Sequence, residues 1–124
     1  MGDISLNFNR SEFACKCGCG FDTVDSELVM ALEMIRKKFD APITINSGCR
    51  CLSYNASIGG SIKSQHTLGR AADIAISKIN PSDVYNFISA RNHSRYGIGK
   101  YDTFTHIDTR SGAPARWSNS SKKQ

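Results

Sequence analysis

The stretch SQHTLGRAADIAI, residues 64–76, joins a turn to a buried strand. Gly69 lets the chain fold back, and the apolar run that follows it has the character of a strand. Side chains alternate between the two faces of a strand, so Asp73 points away from Ile74 and Ile76. An acidic side chain in an apolar strand is costly to bury unless it is paired or binds a metal. The stretch therefore predicts a strand that carries a ligand on one face.

His66 precedes Asp73 by seven residues. On one continuous helix the two residues would lie about 10.5 Å apart along the axis. Ligands of a zinc ion each lie within about 2.1 Å of it, so that separation is too large for a shared ion. A turn at Gly69 followed by a strand removes the difficulty, because it returns His66 to the start of the strand. We therefore expect His66 and Asp73 to lie side by side.

The stretch FTHID, residues 104–108, supplies a second pair of polar side chains on a predicted strand. His106 and Asp108 share one face of it, with Cα atoms about 6.7 Å apart. That distance suits either a hydrogen-bond partner of the ligand or a general base acting through water. Two histidines and one aspartate leave the fourth zinc position open for water, whose pKa the ion lowers toward ~7. Either stretch alone is typical of ordinary structural residues, but together they predict one catalytic Zn²⁺ held by His66, Asp73 and His106.

Periodic segments on both sides predict an α+β domain: a single small, mostly antiparallel sheet with helices packed on it. Apolar residues from Leu28 to Phe39 recur at helical spacing, and Asp25 or Thr23 can cap that helix. The third histidine, His93, is interpreted as a surface residue at a helix end. The other predicted elements are strands at 43–46, 71–76, 97–101 and 104–109, a short helix at 51–58 and a helix from Pro81, capped by Asn80, to about Arg91, with Val84, Phe87 and Ile88 facing the core.

The 124 residues suffice for one domain, predicted at 1–117 and followed by a polar, disordered tail at 118–124. The net charge of +5 favours polyanionic partners. No basic-aromatic stripe accompanies the charge, so we expect no specific nucleic-acid binding. We expect a monomer that does not insert into membranes. Because no signal peptide is visible, we expect it to be synthesised in the cytoplasm.

Five cysteines are many for this length, and they form two groups: Cys15, Cys17 and Cys19, then Cys49 and Cys51. An odd number cannot all pair within one chain. A second, structural metal at Cys15, Cys17 and Cys19 is one interpretation, although Cys-x-Cys-x-Cys is not the usual zinc spacing. Disulfides between the two groups and reduced thiols are the alternatives.

The chain resembles the zinc D-alanyl-D-alanine carboxypeptidase family of murein peptidases, and most closely its short, single-domain phage and prophage endolysin-type members. The resemblance runs from about Phe8 to Trp117. It rests on the motif Ser-x-His-(x)₆-Asp, the later Phe-x-His-x-Asp, and the segments INSGCR, residues 45–50, and Gly59-Gly60. It implies a Hedgehog/D,D-peptidase-like fold and cleavage of peptidoglycan stem peptides or cross-links.

By the same resemblance, His66, Asp73 and His106 match the zinc ligands. Arg50 matches an arginine that stabilises the oxyanion, and Ser64 matches a residue beside the substrate. Many relatives carry a catalytic base two or three residues before the last ligand, where this chain has Thr103 and Phe104. Asp108 is then the first candidate for the proton-handling carboxylate, and Asp102 the second.

Two functions follow from these observations. The first is a zinc-dependent murein carboxypeptidase or endopeptidase that acts on the cell wall after release or delivery, in phage- or prophage-type lysis or remodelling. The second is a catalytically weak or inactive zinc-binding module of the same fold that binds cell wall or a protein partner. The departure at Thr103 and Phe104 favours the second slightly.

Overall fold

The structure is a computed structural model that describes residues 2–91 and 95–118. His93 and residues 119–124 of the predicted tail lie outside the described residues. Helix α1 spans Ser26–Phe39, α2 spans Leu52–Ser57 and α3 spans Pro81–Arg91. Asp25 is the N-cap of α1, where its side chain accepts a hydrogen bond from the backbone N–H of Leu28 at 3.3 Å.

Five strands within the described part of the chain form one mixed sheet in the order β1-β2-β4-β3-β5. The strands are β1 (Ile43–Ser47), β2 (Ala71–Ile76), β3 (Gly97–Lys100), β4 (Thr105–Asp108) and β5 (Ala115–Ser118). Three of the pairings are antiparallel, and β5 alone runs parallel to its neighbour β3. The prediction of an α+β domain with one small, mostly antiparallel sheet is confirmed.

The hydrophobic core lies on one face of this sheet. Strand residues such as Ile74 and Ile107 are buried there against Leu32 of α1 and Ile88 of α3. The strands β2 and β4 show the predicted alternation, because Asp73, His106 and Asp108 point to the opposite face. The functional site described below occupies that second face.

The N-terminal segment is tied to the rest of the domain by polar and apolar contacts. Phe8 and Phe13 are buried in the core, with ring centroids 6.0 Å apart. Glu33 of α1 accepts hydrogen bonds from the hydroxyl of Ser5 and from the backbone N–H of Asn7. Residues before α1 therefore form part of the domain.

Strand β5 was not predicted from the sequence. Its last residue, Ser118, is the first residue of the segment predicted to be a disordered tail, and it pairs in register with Lys100. None of the helices in residues 2–91 and 95–118 combines the length and the apolar character needed to cross a membrane.

Candidate metal centre

His66, Asp73 and His106 come together on the open face of the sheet. Their ligand atoms all lie within 4.8 Å of one another. Asp73 and His106 are directly opposite in the β2–β4 register, which brings their side chains close. His66 arrives from a short 3₁₀ helix, Gln65–Leu68, which ends at Gly69 in the left-handed conformation with φ of 70°. The predicted turn at Gly69 is thus the feature that delivers His66 to β2.

The distances among the three ligands suit one small ion. Asp73 Oδ1 lies 3.0 Å from His106 Nδ1 and 3.3 Å from His66 Nε2. Tetrahedral ligands about 2.05 Å from zinc are about 3.3 Å apart, so little adjustment is required. The set of two imidazoles and one carboxylate therefore fits a zinc ion with an open fourth position.

The outer nitrogen of each histidine is held by another group. His66 Nδ1 donates a hydrogen bond to the carbonyl oxygen of Gly48 at 2.6 Å, which leaves Nε2 facing Asp73. His106 Nε2 lies 2.7 Å from Asp108 Oδ2, which leaves Nδ1 facing Asp73. Such partners fix the orientation of a metal-binding imidazole and increase its basicity.

Asp108 is fully enclosed by its partners, and its side chain has no exposed surface. Arg110 donates from Nε and Nη2 to its two carboxylate oxygens at 2.8 and 2.7 Å. The backbone N–H of Gly97 donates to Oδ1 at 3.1 Å, and a Cβ at that glycine would overlap the carboxylate. Of the two roles that the sequence left open for Asp108, this geometry favours the partner of His106.

Arg50 lies behind Asp73, buried in the wall of the site. Its Nη2 donates to Asp73 Oδ2 at 3.2 Å, while Oδ1 faces the histidines. Nε and Nη1 donate to Ser47 Oγ and Asn55 Oδ1, each at 3.1 Å. The guanidinium therefore holds the carboxylate in the orientation that binding an ion requires.

The electrostatics of the metal-free centre follow from these contacts. Burial lowers the pKa of His66 below its ordinary value. Burial also acts to lower the pKa of His106, but its hydrogen bonds to Asp108 and Asp73 outweigh that effect and raise the pKa to about 9. Burial acts to raise the pKa of Asp73, yet the two histidines hold it well below its usual range. Without metal, the centre keeps an anionic carboxylate beside a protonated His106 at neutral pH.

A pocket of about 730 Å³ opens over the three ligands. Ser64 lines it and caps the 3₁₀ helix, since its Oγ accepts from the backbone N–H of His66 at 3.2 Å. Asp102 does not line this pocket: it is exposed on the turn between β3 and β4, beside a separate depression that includes Asn80 and Pro81. Among the described residues, Asp73 and Asp108 are the carboxylates of the pocket lining.

Three further lining residues were not predicted from the sequence. Trp117 of β5 lies with its ring 5.1 Å from that of His106, and its Nε1 donates to the hydroxyl of Tyr101 at 2.9 Å. Gln65 lines the pocket with a buried Oε1 that has no hydrogen-bond partner in the described structure. Trp117 reaches the site through β5, for which the sequence offered no strand signal, whereas Tyr101 follows β3 directly, in a segment that was predicted to be a strand.

Comparison with known proteins adds one finding to this geometry. The family described as Peptidase M15 matches residues 6–108, a span that includes His66, Asp73, His106 and Asp108. No curated protein matches the chain. The match covers most of the 124 residues, and the chain therefore belongs to the peptidase M15 family of zinc-dependent metallopeptidases.

Proposed function

We propose that this member of the peptidase M15 family hydrolyses peptide bonds of peptidoglycan, in stem peptides or cross-links, as a carboxypeptidase or an endopeptidase. The observation that carries the proposal is the arrangement of His66, Asp73 and His106 at the floor of an open pocket of about 730 Å³. A zinc ion bound there supplies a Lewis acid for the scissile carbonyl and a water of lowered pKa.

The charge of the pocket suits an anionic peptide. Both carboxylates of its described lining are already engaged by arginines, Asp73 by Arg50 and Asp108 by Arg110. Lys63 is exposed at the rim of the same pocket. The free carboxylates of peptidoglycan stem peptides complement this excess of positive charge, and the net charge of +5 acts in the same direction over a longer range.

Two side chains have polar atoms available for the substrate. The guanidinium of Arg50 has five N–H groups, and each of its three nitrogens makes one hydrogen bond in the structure. The remaining N–H groups can donate toward a developing oxyanion. The buried Oε1 of Gln65 has no hydrogen-bond partner in the described structure, so a rotation of this side chain toward the pocket would let it accept from a peptide N–H of the substrate. Ser64 lines the same pocket, where we expect it to border the bound peptide.

Proton transfer requires a group in the pocket that is not held by other partners. Asp108 is saturated by His106, Arg110 and a backbone N–H, and Asp102 lies outside the pocket. The hydroxyl of Tyr101 accepts from Trp117 and keeps its own proton, which it can donate within the pocket. The absence of an unengaged carboxylate from the pocket lining, among the residues that the structure describes, favours the second candidate function, a zinc-holding module that binds cell wall without cleaving it.

Digestion of purified peptidoglycan separates the two candidates. The wild-type protein with Zn²⁺ should release new amine ends, and mass analysis of the muropeptides should identify the bond. His106→Ala should abolish release, whereas Asp102→Asn, a change outside the pocket, should leave it intact. Sedimentation with peptidoglycan but no new amine ends, at any divalent metal, would establish the binding module instead.

The biological setting of the proposed activity is phage- or prophage-type lysis or wall remodelling. The resemblance to short, single-domain endolysin-type proteins supports this setting. In it, the protein acts as a monomer on the wall after release or delivery, and peptidoglycan is its partner. Lysis of bacteria from outside and from within, compared for the wild type and His106→Ala, tests the setting separately from the chemistry.

A further inference from the structure

Four cysteines meet on the side of the domain where the N-terminal segment packs. Cys15, Cys17, Cys19 and Cys51 each offer a sulfur, and these atoms all lie within 4.8 Å of one another. The sequence grouped Cys15, Cys17 and Cys19, and the structure adds Cys51 from the start of α2 across 36 residues of chain. Four thiols whose sulfur atoms lie this close together are the donor set of a closed, tetrahedral structural zinc site.

We propose that Cys15, Cys17, Cys19 and Cys51 bind one Zn²⁺ as a tetrathiolate site, which fastens the N-terminal segment to the loop that carries Arg50.

The sulfur separations match a tetrahedral site. Four sulfurs at about 2.3 Å from zinc are about 3.8 Å apart. Cys17 Sγ lies 3.5 Å from Cys15 Sγ and 3.7 Å from Cys51 Sγ. Cys17 is thus nearly equidistant from two partners, as a shared ion requires, whereas a disulfide would select one partner at about 2.05 Å.

Backbone donors surround the cluster. The N–H of Cys51 donates to Cys15 Sγ at 3.4 Å, and the N–H of Tyr54 donates to Cys51 Sγ at 3.4 Å. Hydrogen bonds of this kind stabilise sulfur in its anionic form, the form that binds metal. Four soft thiolate ligands at this spacing select zinc over the hard cations that prefer oxygen.

The fifth cysteine is excluded from the cluster. The thiol of Cys49 is buried and donates to the carbonyl oxygen of Phe21 at 3.0 Å. The odd number of cysteines, which argues against complete pairing by disulfides, is accounted for by four ligands and one buried thiol. Cys49 therefore provides a matched control for substitutions in the cluster.

The position of the cluster connects it to the catalytic pocket. Arg50 lies between Cys49 and Cys51, and its backbone N–H donates to the carbonyl oxygen of His66 at 2.9 Å. The N–H of Cys49 donates to the carbonyl oxygen of Phe13 at 2.9 Å, in the segment that leads into the cluster. A metal that joins residues 15–19 to Cys51 thus fixes one end of the Arg50 loop, and the hydrogen bond from Cys49 to Phe13 fixes the other.

Metal analysis of the full chain, purified under reducing conditions without a metal-binding tag, tests the proposal. The wild type should contain two zinc ions per chain. The double variant Cys17→Ser/Cys19→Ser, at two exposed positions, should contain one, and so should His106→Ala. Cys49→Ser should retain two. A zinc content of Cys17→Ser/Cys19→Ser equal to that of the wild type, or iron in place of zinc, would overturn the proposal.

X-ray absorption of His106→Ala gives a readout that does not depend on whether the cysteine variant folds. The zinc that remains should have four sulfur neighbours at about 2.3 Å. A shell of nitrogen and oxygen, or an intact mass lowered by the hydrogens that disulfide formation removes, would contradict the assignment. If the metal holds the loop that carries Arg50, hydrogen exchange at the Arg50 amide should be faster in Cys17→Ser/Cys19→Ser than in Cys49→Ser. Equal rates would contradict this role of the metal.

Discussion

Replacement of Asp108 by asparagine separates the two roles that this carboxylate can have. The change keeps the size of the side chain and removes its charge. Asp108 Oδ2 lies 2.7 Å from His106 Nε2, and the side chain is fully enclosed. If its function is to orient His106 and increase its basicity, Asp108→Asn weakens zinc binding and lowers activity only through that loss.

The expected magnitude follows from the type of contact. Partners of metal-bound histidines typically contribute about 10–100-fold in metal affinity. A charge-assisted hydrogen bond is roughly twice as strong as a neutral one, and the amide oxygen that Asp108→Asn introduces still accepts a neutral one. We therefore expect the zinc dissociation constant to rise by about 10–100-fold, or about 1.4–2.8 kcal/mol.

The protein contains its own local probe for this measurement. Trp117 is the single tryptophan of the chain, and its ring lies 5.1 Å from that of His106. Its fluorescence, titrated with chelator-buffered zinc, should report the occupancy of this centre rather than of the cysteine cluster. Asp102→Asn, an exposed change outside the pocket, should give the wild-type dissociation constant.

The opposite pattern would refute this reasoning. A general base contributes about 10²–10⁴-fold to the rate without holding the metal. If Asp108→Asn kept the zinc affinity of the wild type but lost that much activity at saturating zinc, Asp108 would be the proton-transfer group. The positioning role derived from its contacts would then be wrong.

Three further predictions follow from the same structure. Zinc must displace the proton held by His106, whose pKa is raised to about 9. The zinc affinity of this centre should therefore rise about tenfold per pH unit from pH 7 to 9 and then level off. Fluorescence titration at each pH measures this affinity, and a flat profile would contradict the prediction. Burial acts to raise the pKa of Glu33, but hydrogen bonds from Ser5 and Asn7 outweigh that effect and lower the pKa. The stability that this gives is present above about pH 4.5 and is lost as the pH falls through the lowered pKa. Glu33→Gln should therefore destabilise the protein at pH 7, and progressively less as the pH falls below about 4.5, in urea unfolding. Gly69→Ala should lower the free energy of unfolding by about 3 kcal/mol, because φ of Gly69 is 70° and a Cβ there would lie 2.7 Å from a backbone oxygen. Gly112 has φ of 86° but open space around it, so Gly112→Ala should lower that free energy by only about 1 kcal/mol in the same assay.

The elements that the sequence predicted well are those that carry local signals. Helix α1 has an N-cap at Asp25 and an apolar face, and β2 is an apolar run that Asp73 alone interrupts. The alternation of side chains then places Asp73 and His106 on the same face of the sheet, and the antiparallel pairing of β2 with β4 brings them opposite each other. Local patterns were sufficient to predict that these side chains and His66 come together, because they lie on neighbouring strands and the turn beside them.

The elements that the sequence did not predict depend on contacts between distant segments. Strand β5 is four residues long and half-exposed, so it has no apolar alternation to reveal it, and its pairing with β3 alone defines it. Cys51 joins the cluster while the neighbouring Cys49 does not, a distinction that rests on which thiol faces Phe21. The enclosure of Asp108 by Arg110 likewise depends on side-chain geometry that spacing does not specify.

The placement of Trp117 on an edge strand separates it within the sheet from the three candidate ligands, although its ring packs against that of His106. The metal ligands lie on the central strands and their adjoining turn, where any change disturbs two neighbours. Trp117 lies on β5, which has a single neighbour, and beyond the residues that match the peptidase family. Exchange of this terminal strand is therefore a route by which the wall of the pocket can be altered without replacing any of the three candidate ligands.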